Sequence, residues 1–118
     1  MHPKTRYVFT ASLDIDPAKE ILFNELYDSE HVPFLLAVPG VLAVTRVTTE
    51  PDASMRIDGQ KKALVAEREP KYSAIYELES AEVLLSDAWA EAVDKGRWPK
   101  EIRPHIRARR HTLKKVMR

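Results

Sequence analysis

The chain has 118 residues, of which 44% are hydrophobic and 31% charged, with 19 Lys and Arg against 18 Asp and Glu. These proportions are ordinary for a globular protein, the length predicts one domain over residues 1–118, and the absence of cysteine excludes disulfides and thiolate chemistry. No apolar run reaches membrane-spanning length, and the N-terminus lacks an apolar signal core, so we expect a cytoplasmic protein without membrane contact.

The first predicted elements are a strand and a helix. The strand, Thr5–Asp14, alternates and has one strongly apolar face. Asp16 and Pro17 are typical of a helix start, because the carboxylate can cap the helix and proline suits its first position. Pro33 disfavours helical geometry at Val32, so the helix is predicted to end before Val32, with Tyr27 and His31 in its last turn.

A second strand and a long connection follow the helix. Pro39-Gly40 turns the chain into the strand Val41–Thr49. Residues 50–70 break the regular pattern, and a connection of this length is usually a lid, a binding loop or a segment with its own structure. Within it, Asp58-Gly59 predicts a turn and Lys61–Arg68 predicts a short helix.

The remainder of the chain predicts a strand, a helix and a final strand. Lys71–Glu79 alternates as a third strand, and Ser80 is a plausible cap for a second helix over Ala81–Lys95. The fourth strand lies near Ala108–Met117. The second helix carries a continuous apolar stripe made of Leu84, Leu85, Ala88, Trp89, Ala92 and Val93.

Positive charge is concentrated at the end of the chain. Residues 1–96 carry 10 Lys and Arg against 17 Asp and Glu, whereas residues 97–118 carry 9 against 1. A basic segment of this kind can bind nucleic acid or an acidic partner. Interleaved apolar residues favour a structured strand instead, and no aromatic residue follows Arg103, which argues against nucleic-acid binding.

The order strand–helix–strand–strand–helix–strand is the split βαβ plan. It predicts an α+β, ferredoxin-like fold with an antiparallel four-stranded sheet and two helices on one face. The other face of such a sheet needs cover, and a second copy of the chain is an economical way to provide it. We therefore expect a homodimer.

The first helix carries the leading candidates for catalysis. Phe23, Tyr27 and His31 recur four residues apart, so they share one side of the helix. A histidine with a pKa of about 6.5 can take or give a proton at cellular pH, and Tyr27 could orient or protonate a substrate oxygen. At a helix C-terminus the macrodipole would favour the protonated imidazole. The alternative is that His31 caps its own helix carbonyls beside a core tyrosine.

A cleft between sheet and helices would be lined by further candidates. Arg46 could hold a carboxylate or an enolate through its planar guanidinium, or it could pair with Glu77 on another strand. The remaining histidines form no metal-binding pattern, so no metal site is predicted. The candidate substrate-binding residues are Phe23, Arg46, Tyr7, Tyr76, Trp89 and Trp98, the last of them either a lid or a packing anchor.

Two segments carry a resemblance to a known group of proteins. Tyr27-x-x-x-His31-x-Pro33 is followed by Pro39-Gly40-Val41 and a strand with a basic residue, and Tyr72–Ser80 precedes a helix containing a tryptophan. This arrangement resembles the dimeric α+β barrel superfamily, in particular the EthD-like small proteins, with the methylmuconolactone isomerases as more distant relatives. The resemblance implies that two copies pair into a barrel. It also implies that His31 matches the cofactor-free general acid/base of those isomerases.

These features predict a cofactor-free proton-transfer enzyme, of isomerase, lyase or cyclase type, acting on a small apolar compound that bears oxygen. His31 and Tyr27 would be its catalytic residues. One alternative is a non-catalytic homodimer that binds a small molecule or serves as an accessory protein of a catabolic or biosynthetic pathway. Another is a dimer whose basic C-terminus binds nucleic acid or an acidic protein.

Overall fold

The computed structural model describes residues 1–64 and 67–118. The helical elements are α1 (Glu20–Leu26), α2 (Val32–Leu36), α3 (Asp87–Val93) and α4 (Trp98–Glu101). The strands are β1 (Tyr7–Ile15), β2 (Val41–Thr48), β3 (Ser54–Ile57), β4 (Gln60–Ala63), β5 (Tyr72–Leu78) and β6 (Ile106–Lys115). Within the described part of the chain, no helix is long and apolar enough to cross a membrane.

Four of the strands form one antiparallel sheet in the order β2-β5-β1-β6. One face of this sheet is covered by the helices, and alternate residues of each strand point into the core between them. On β5 these are Ala74, Tyr76 and Leu78, all buried. The predicted α+β, ferredoxin-like fold is therefore confirmed, while the pairing of two copies stays a prediction.

The first helix starts as predicted but continues past its predicted end. The Asp16 carboxylate accepts a hydrogen bond from the Ala18 N–H at 3.0 Å, as a capping residue does. Val32, however, is helical (φ −61°, ψ −49°), and α2 carries the helix on to Leu36. A π-helical turn over Tyr27–His31 explains the difference, because a wider turn leaves room for the Pro33 ring that an α-helix would exclude.

The second predicted helix is divided into two pieces. Ala81–Leu85 forms a 3-10 helix, and Ser86 is extended (ψ 153°) before α3 begins. The Ser86 hydroxyl accepts a hydrogen bond from the Trp89 N–H at 3.1 Å, so this serine caps α3. The break changes the phase of the helix and leaves Leu85 83% exposed, so its predicted place in the core stripe was wrong.

The long connection contains a β-hairpin. β3 and β4 pair through the turn at Asp58-Gly59, which was predicted and is confirmed. Both turn residues have positive φ, as a two-residue hairpin turn of type I′ requires. The helix predicted for Lys61–Arg68 was wrong over residues 61–63, which belong to β4, and the part of it at residues 65 and 66 lies outside the described residues.

Candidate functional site

A cavity of about 460 Å³ lies between the helix-covered face of the sheet and the helices. This volume is within the range of small-molecule binding sites. Five of the eight predicted site residues line it, contributed by the π-helical turn, β5, α3 and α4: Tyr27, His31, Tyr76, Trp89 and Trp98. Separate parts of the sequence thus meet around one cavity that is partly open to solvent.

His31 lies in the π-helical turn and is only 6% exposed. Its ring stacks on Trp98 with a centroid separation of 4.0 Å and an interplanar angle of 11°, and it meets the Tyr27 ring edge-on at 5.1 Å. Its Nδ1 is the one buried side-chain polar atom that has no hydrogen-bond partner among the described residues. This nitrogen therefore does not cap a helix carbonyl, as the structural alternative would require.

The surroundings of His31 favour the neutral imidazole. Burial, and secondarily the positive charge of Arg103, lower the pKa of His31 to about 4. A charged group removed from water loses its hydration, and a second cation nearby adds repulsion. The expectation that the helix dipole would favour the protonated form was wrong, because the helix continues through α2 and His31 is not at its end.

Two tyrosine hydroxyls form a pair in the same cavity. The Tyr27 and Tyr76 oxygens are 2.8 Å apart, so one hydroxyl donates to the other. Burial raises the pKa of Tyr27 to about 12 and that of Tyr76 well above its ordinary value. Both tyrosines stay protonated at neutral pH, and only one of their two hydroxyl hydrogens is used between them. The other is free to be donated to an oxygen of a ligand.

The cavity walls are largely aromatic. The Phe9 ring lies 5.8 Å from Trp89 in an edge-on arrangement and 5.6 Å from Tyr76, and Trp89 and Tyr76 also meet edge-on at 5.6 Å. Such contacts hold the rings in fixed orientations. The result is a rigid, apolar wall that suits a flat ligand.

Arg46 does not line this cavity. It donates to the Asp28 carboxylate at 2.9 Å and to the Asn24 side-chain oxygen at 2.6 Å, and its guanidinium lies 4.5 Å from the Tyr27 ring centre. The predicted ion pair with Glu77 is wrong. Arg46 faces the helices, whereas Glu77 lies on the opposite face of the sheet, where it accepts from the His2 N–H and the Thr5 hydroxyl.

The two other predicted residues also lie outside the cavity lining. Phe23 is fully buried and packs against the rings of Tyr27, Tyr72 and Trp98. Tyr7 lies at the start of β1 and packs against the core. Phe23 therefore supports the cavity from behind, through its contacts with Tyr27 and Trp98.

Four charged or titratable residues at the cavity were not predicted from the sequence. Asp94 follows α3, Arg103 follows α4, and Arg109 and His111 belong to β6. The sequence pattern predicted only a basic strand in the region of Arg109 and His111. The alternation of Arg109 and His111 with their neighbours is the signal that could have placed both on one face. The ranges 1–64 and 67–118 contain no group of three or more His, Asp or Glu side chains placed to hold a metal ion.

No family model and no curated protein matches this chain. Several solved structures, however, are similar to it. An EthD-family protein from Bacillus halodurans covers 94% of this chain and 99% of its own at 15% identity, with a TM-score of 0.56. The match to the heme-degrader MhuD from Mycobacterium tuberculosis covers 95% of this chain and 96% of MhuD at 13% identity, with a TM-score of 0.59. The match to SnoaB, a cofactor-independent oxygenase from Streptomyces nogalater, covers 97% of this chain and 95% of SnoaB at 14% identity, with a TM-score of 0.57.

At these identities the comparisons establish the fold. The chain has the ferredoxin-like α+β fold that is also seen in an EthD-family protein and in antibiotic-biosynthesis monooxygenase-type proteins. The similarity covers nearly the whole of the chain and of each of these structures.

Proposed function

We propose that this protein binds a small, flat, largely apolar compound that bears oxygen, and transfers a proton on it without a cofactor. The reaction would be of isomerase, lyase or cyclase type. The observation that carries the proposal is a buried, neutral imidazole with an unpartnered nitrogen, beside a pair of protonated tyrosines in one aromatic cavity. His31 and Tyr27 keep the catalytic roles predicted from the sequence.

The chemistry follows from the protonation states. A neutral His31 can accept a proton from a carbon or oxygen next to a carbonyl group of the substrate. Negative charge then develops on the substrate oxygen, where the free hydroxyl hydrogen of the Tyr27–Tyr76 pair would stabilise it. Burial and Arg103 both disfavour the imidazolium, so the proton is readily returned at another position of the substrate. The proton balance is closed and no electron is gained or lost.

A non-catalytic binding protein is the second candidate function. The observation that favours it is the pKa of about 4 for His31, which makes the imidazole a weak base at neutral pH. A ligand that carries negative charge would raise this pKa by attraction and so improve the base. The two candidates therefore differ in whether a bound ligand is turned over.

The test begins with a ligand screen by thermal shift, because a ligand bound only by the native state raises its stability. The panel contains small aromatic and enolisable compounds, together with haem, which MhuD binds. Bound compounds are then followed for isomerisation, elimination and solvent-proton exchange. Oxygen consumption is recorded in parallel, since SnoaB is described as an oxygenase.

His31→Gln is expected to lower turnover by roughly 10²–10⁴-fold, which is the usual contribution of a positioned acid or base. Tyr27→Phe should cost less, because the ring packing stays and Tyr76 keeps its hydroxyl. His105→Gln is the matched control, since His105 lies outside the cavity lining. Unchanged turnover in His31→Gln would refute the catalytic assignment. Ligand binding without any reaction would leave the binding protein as the function.

A further inference from the structure

An irregularity in β6 determines which of its side chains face the cavity. In the pairing of β1 with β6, Ala11 is opposite His111 and Ser12 is opposite Arg110, but Asp14 is opposite Arg107. Leu13 is therefore opposed by two residues, 108 and 109, which is the definition of a β-bulge. The first of these residues, Ala108, has a φ of +51°.

The bulge changes the phase of the strand. Ile106 is paired with Ile15 and packs against the core. A regular strand that continued from Ile106 would turn Ala108 and Arg110 toward the helices, because side chains alternate. With the bulge, Arg109 and His111 take that face instead, and both line the cavity. A positive φ is unfavourable for alanine, so this placement is obtained at a cost in backbone strain.

Arg109 differs from its neighbouring arginines in its partners. Arg103 pairs with Asp94 at 2.8 Å, Arg107 with Asp16 at 3.4 Å, and Arg110 with Glu69 at 2.7 Å. Arg109 makes no ion pair with any carboxylate of residues 1–64 and 67–118.

The arrangement around Arg109 suits an anion. Arg103 also donates to the Val93 carbonyl at 2.6 Å, so its guanidinium is already engaged. His111 packs edge-on against Phe9 at 5.4 Å and stands beside Arg109. Burial and the charge of Arg109 lower the pKa of His111, which adds a neutral imidazole next to the cation. A planar guanidinium with free donors matches a carboxylate, which it can bind through two parallel hydrogen bonds.

We propose that Arg109 binds a carboxylate of the ligand, so that the site takes aromatic or cyclic carboxylic acids whose apolar ring enters the aromatic cavity. This inference rests on the proposed function, because it names the class of compound that His31 and the tyrosine pair would act on. The bulge at Ala108 is the structural device that presents Arg109 to the cavity. Arg109 is thus a specificity-determining residue.

The test compares two probes of nearly equal shape, 2-naphthoate and 2-naphthamide, which differ in charge. Binding is followed by quenching of the fluorescence of Trp89 and Trp98, which line the cavity, and by calorimetry. The wild-type protein should bind the carboxylate at least about tenfold more tightly than the amide, as expected when a charged hydrogen bond is made at a specific partner. The preference should shrink at higher salt.

The variants separate a local contact from a general effect of charge. Arg109→Gln should abolish the preference for the carboxylate and leave amide binding unchanged, and Arg109→Lys should keep part of the preference. Arg110→Gln removes the same charge one residue away, from the opposite face of the strand, and should keep the whole preference.

Three results would overturn the assignment: equal binding of the two probes by the wild type, a preference that survives in Arg109→Gln, or a preference lost equally in Arg110→Gln. In each of these cases binding of the amide would leave the proposed function standing. If neither probe binds, the inference fails, and the proposed function is then decided by the wider ligand screen described above.

Discussion

At His31 two physical effects act in the same direction. Burial removes the hydration of the imidazolium, and the nearby Arg103 guanidinium repels it, so the ring is neutral over the physiological pH range. Neighbouring Tyr27 and Trp98 offer aromatic surface and no negative charge. A histidine in these surroundings is already unprotonated at neutral pH, so it can accept a proton directly.

The same pKa makes the stability of the protein depend on pH. The unfolded imidazole titrates at about pH 6.5, and the folded one has a pKa of about 4. Between these values the unfolded chain binds more protons, so the stability contributed by His31 is present above pH 6.5 and is lost as the pH falls toward 4. From pH 7 to pH 5 we expect a loss of about 2 kcal/mol in the free energy of unfolding.

Urea denaturation of the wild type and of His31→Gln at both pH values measures this contribution. The pKa of His111 is also lowered, but that residue is present in both proteins, so its effect cancels in the difference. The stability difference between the two proteins should shift by about 2 kcal/mol in favour of the variant at pH 5. A difference that does not change with pH would contradict the buried, neutral state of His31.

At the scale of elements, local sequence rules located the strands well. Each strand has an alternating pattern that does not depend on the rest of the fold, and β1, β2 and β5 begin and end within about two residues of their predicted bounds. The helices were less well predicted. Pro33 would end an ordinary helix, but here a wider turn accommodates it. Ser80 and Ser86 are equally good capping residues, so the sequence alone does not show that the helix is interrupted and begins again after Ser86.

The site shows the same limit of local rules. Helical spacing correctly predicted that Tyr27 and His31 share one side of the helix, and strand alternation correctly predicted that Tyr76 faces the core. The place of Arg109 depends on the bulge, which exists only in the pairing of β6 with β1, and no local pattern encodes that pairing. Arg46 was misplaced because its partners, Asp28 and Asn24, lie on the helix and are brought to β2 only by the tertiary fold.

The turn into β2 offers a direct test of packing at this scale. Gly40 has a φ of +93°, and a Cβ on it would lie 2.4 Å from Cγ2 of the buried Val83. Gly59, in the hairpin turn, has a φ of +73° and no atom within 4 Å of its Cβ position. Gly59→Ala therefore carries only the backbone penalty, of about 1 kcal/mol.

Gly40→Ala carries the same backbone penalty and the cost of forcing a methyl group against a buried side chain, about 3 kcal/mol in total. The free energies of unfolding of the two variants, measured by urea denaturation, should differ by about 2 kcal/mol. Equal losses would mean that Val83 moves aside without cost.

For the whole molecule, the sheet has one covered and one uncovered face. A row of β-branched residues crosses the uncovered face, with Ile75 of β5 between Thr10 of β1 and Thr45 of β2. Val47, two residues further along β2, is 42% exposed. Antiparallel sheets can face water on one side, but β-branched rows of this kind are well suited to pack against another sheet.

We therefore predict a homodimer in which the uncovered faces of two sheets pack together. Light scattering at micromolar concentration should give twice the mass of one chain. Ile75→Lys should give a monomer, because it places a charge in the centre of the packed face. Leu85→Lys introduces the same charge at a leucine that is already 83% exposed on the helical side and should remain a dimer. A wild-type protein with the mass of one chain would contradict the prediction.

The π-helical turn limits how the chain can be shortened. Such a turn holds one residue more than an α-helix needs for the same advance. Deleting one of residues 28–30 would let the turn rewind as an α-helix, and the Pro33 ring would then clash with a backbone carbonyl of the preceding turn. A deletion inside α1 would instead rotate all that follows by about 100° and expose Leu35. The helix therefore tolerates the loss of a residue at neither place.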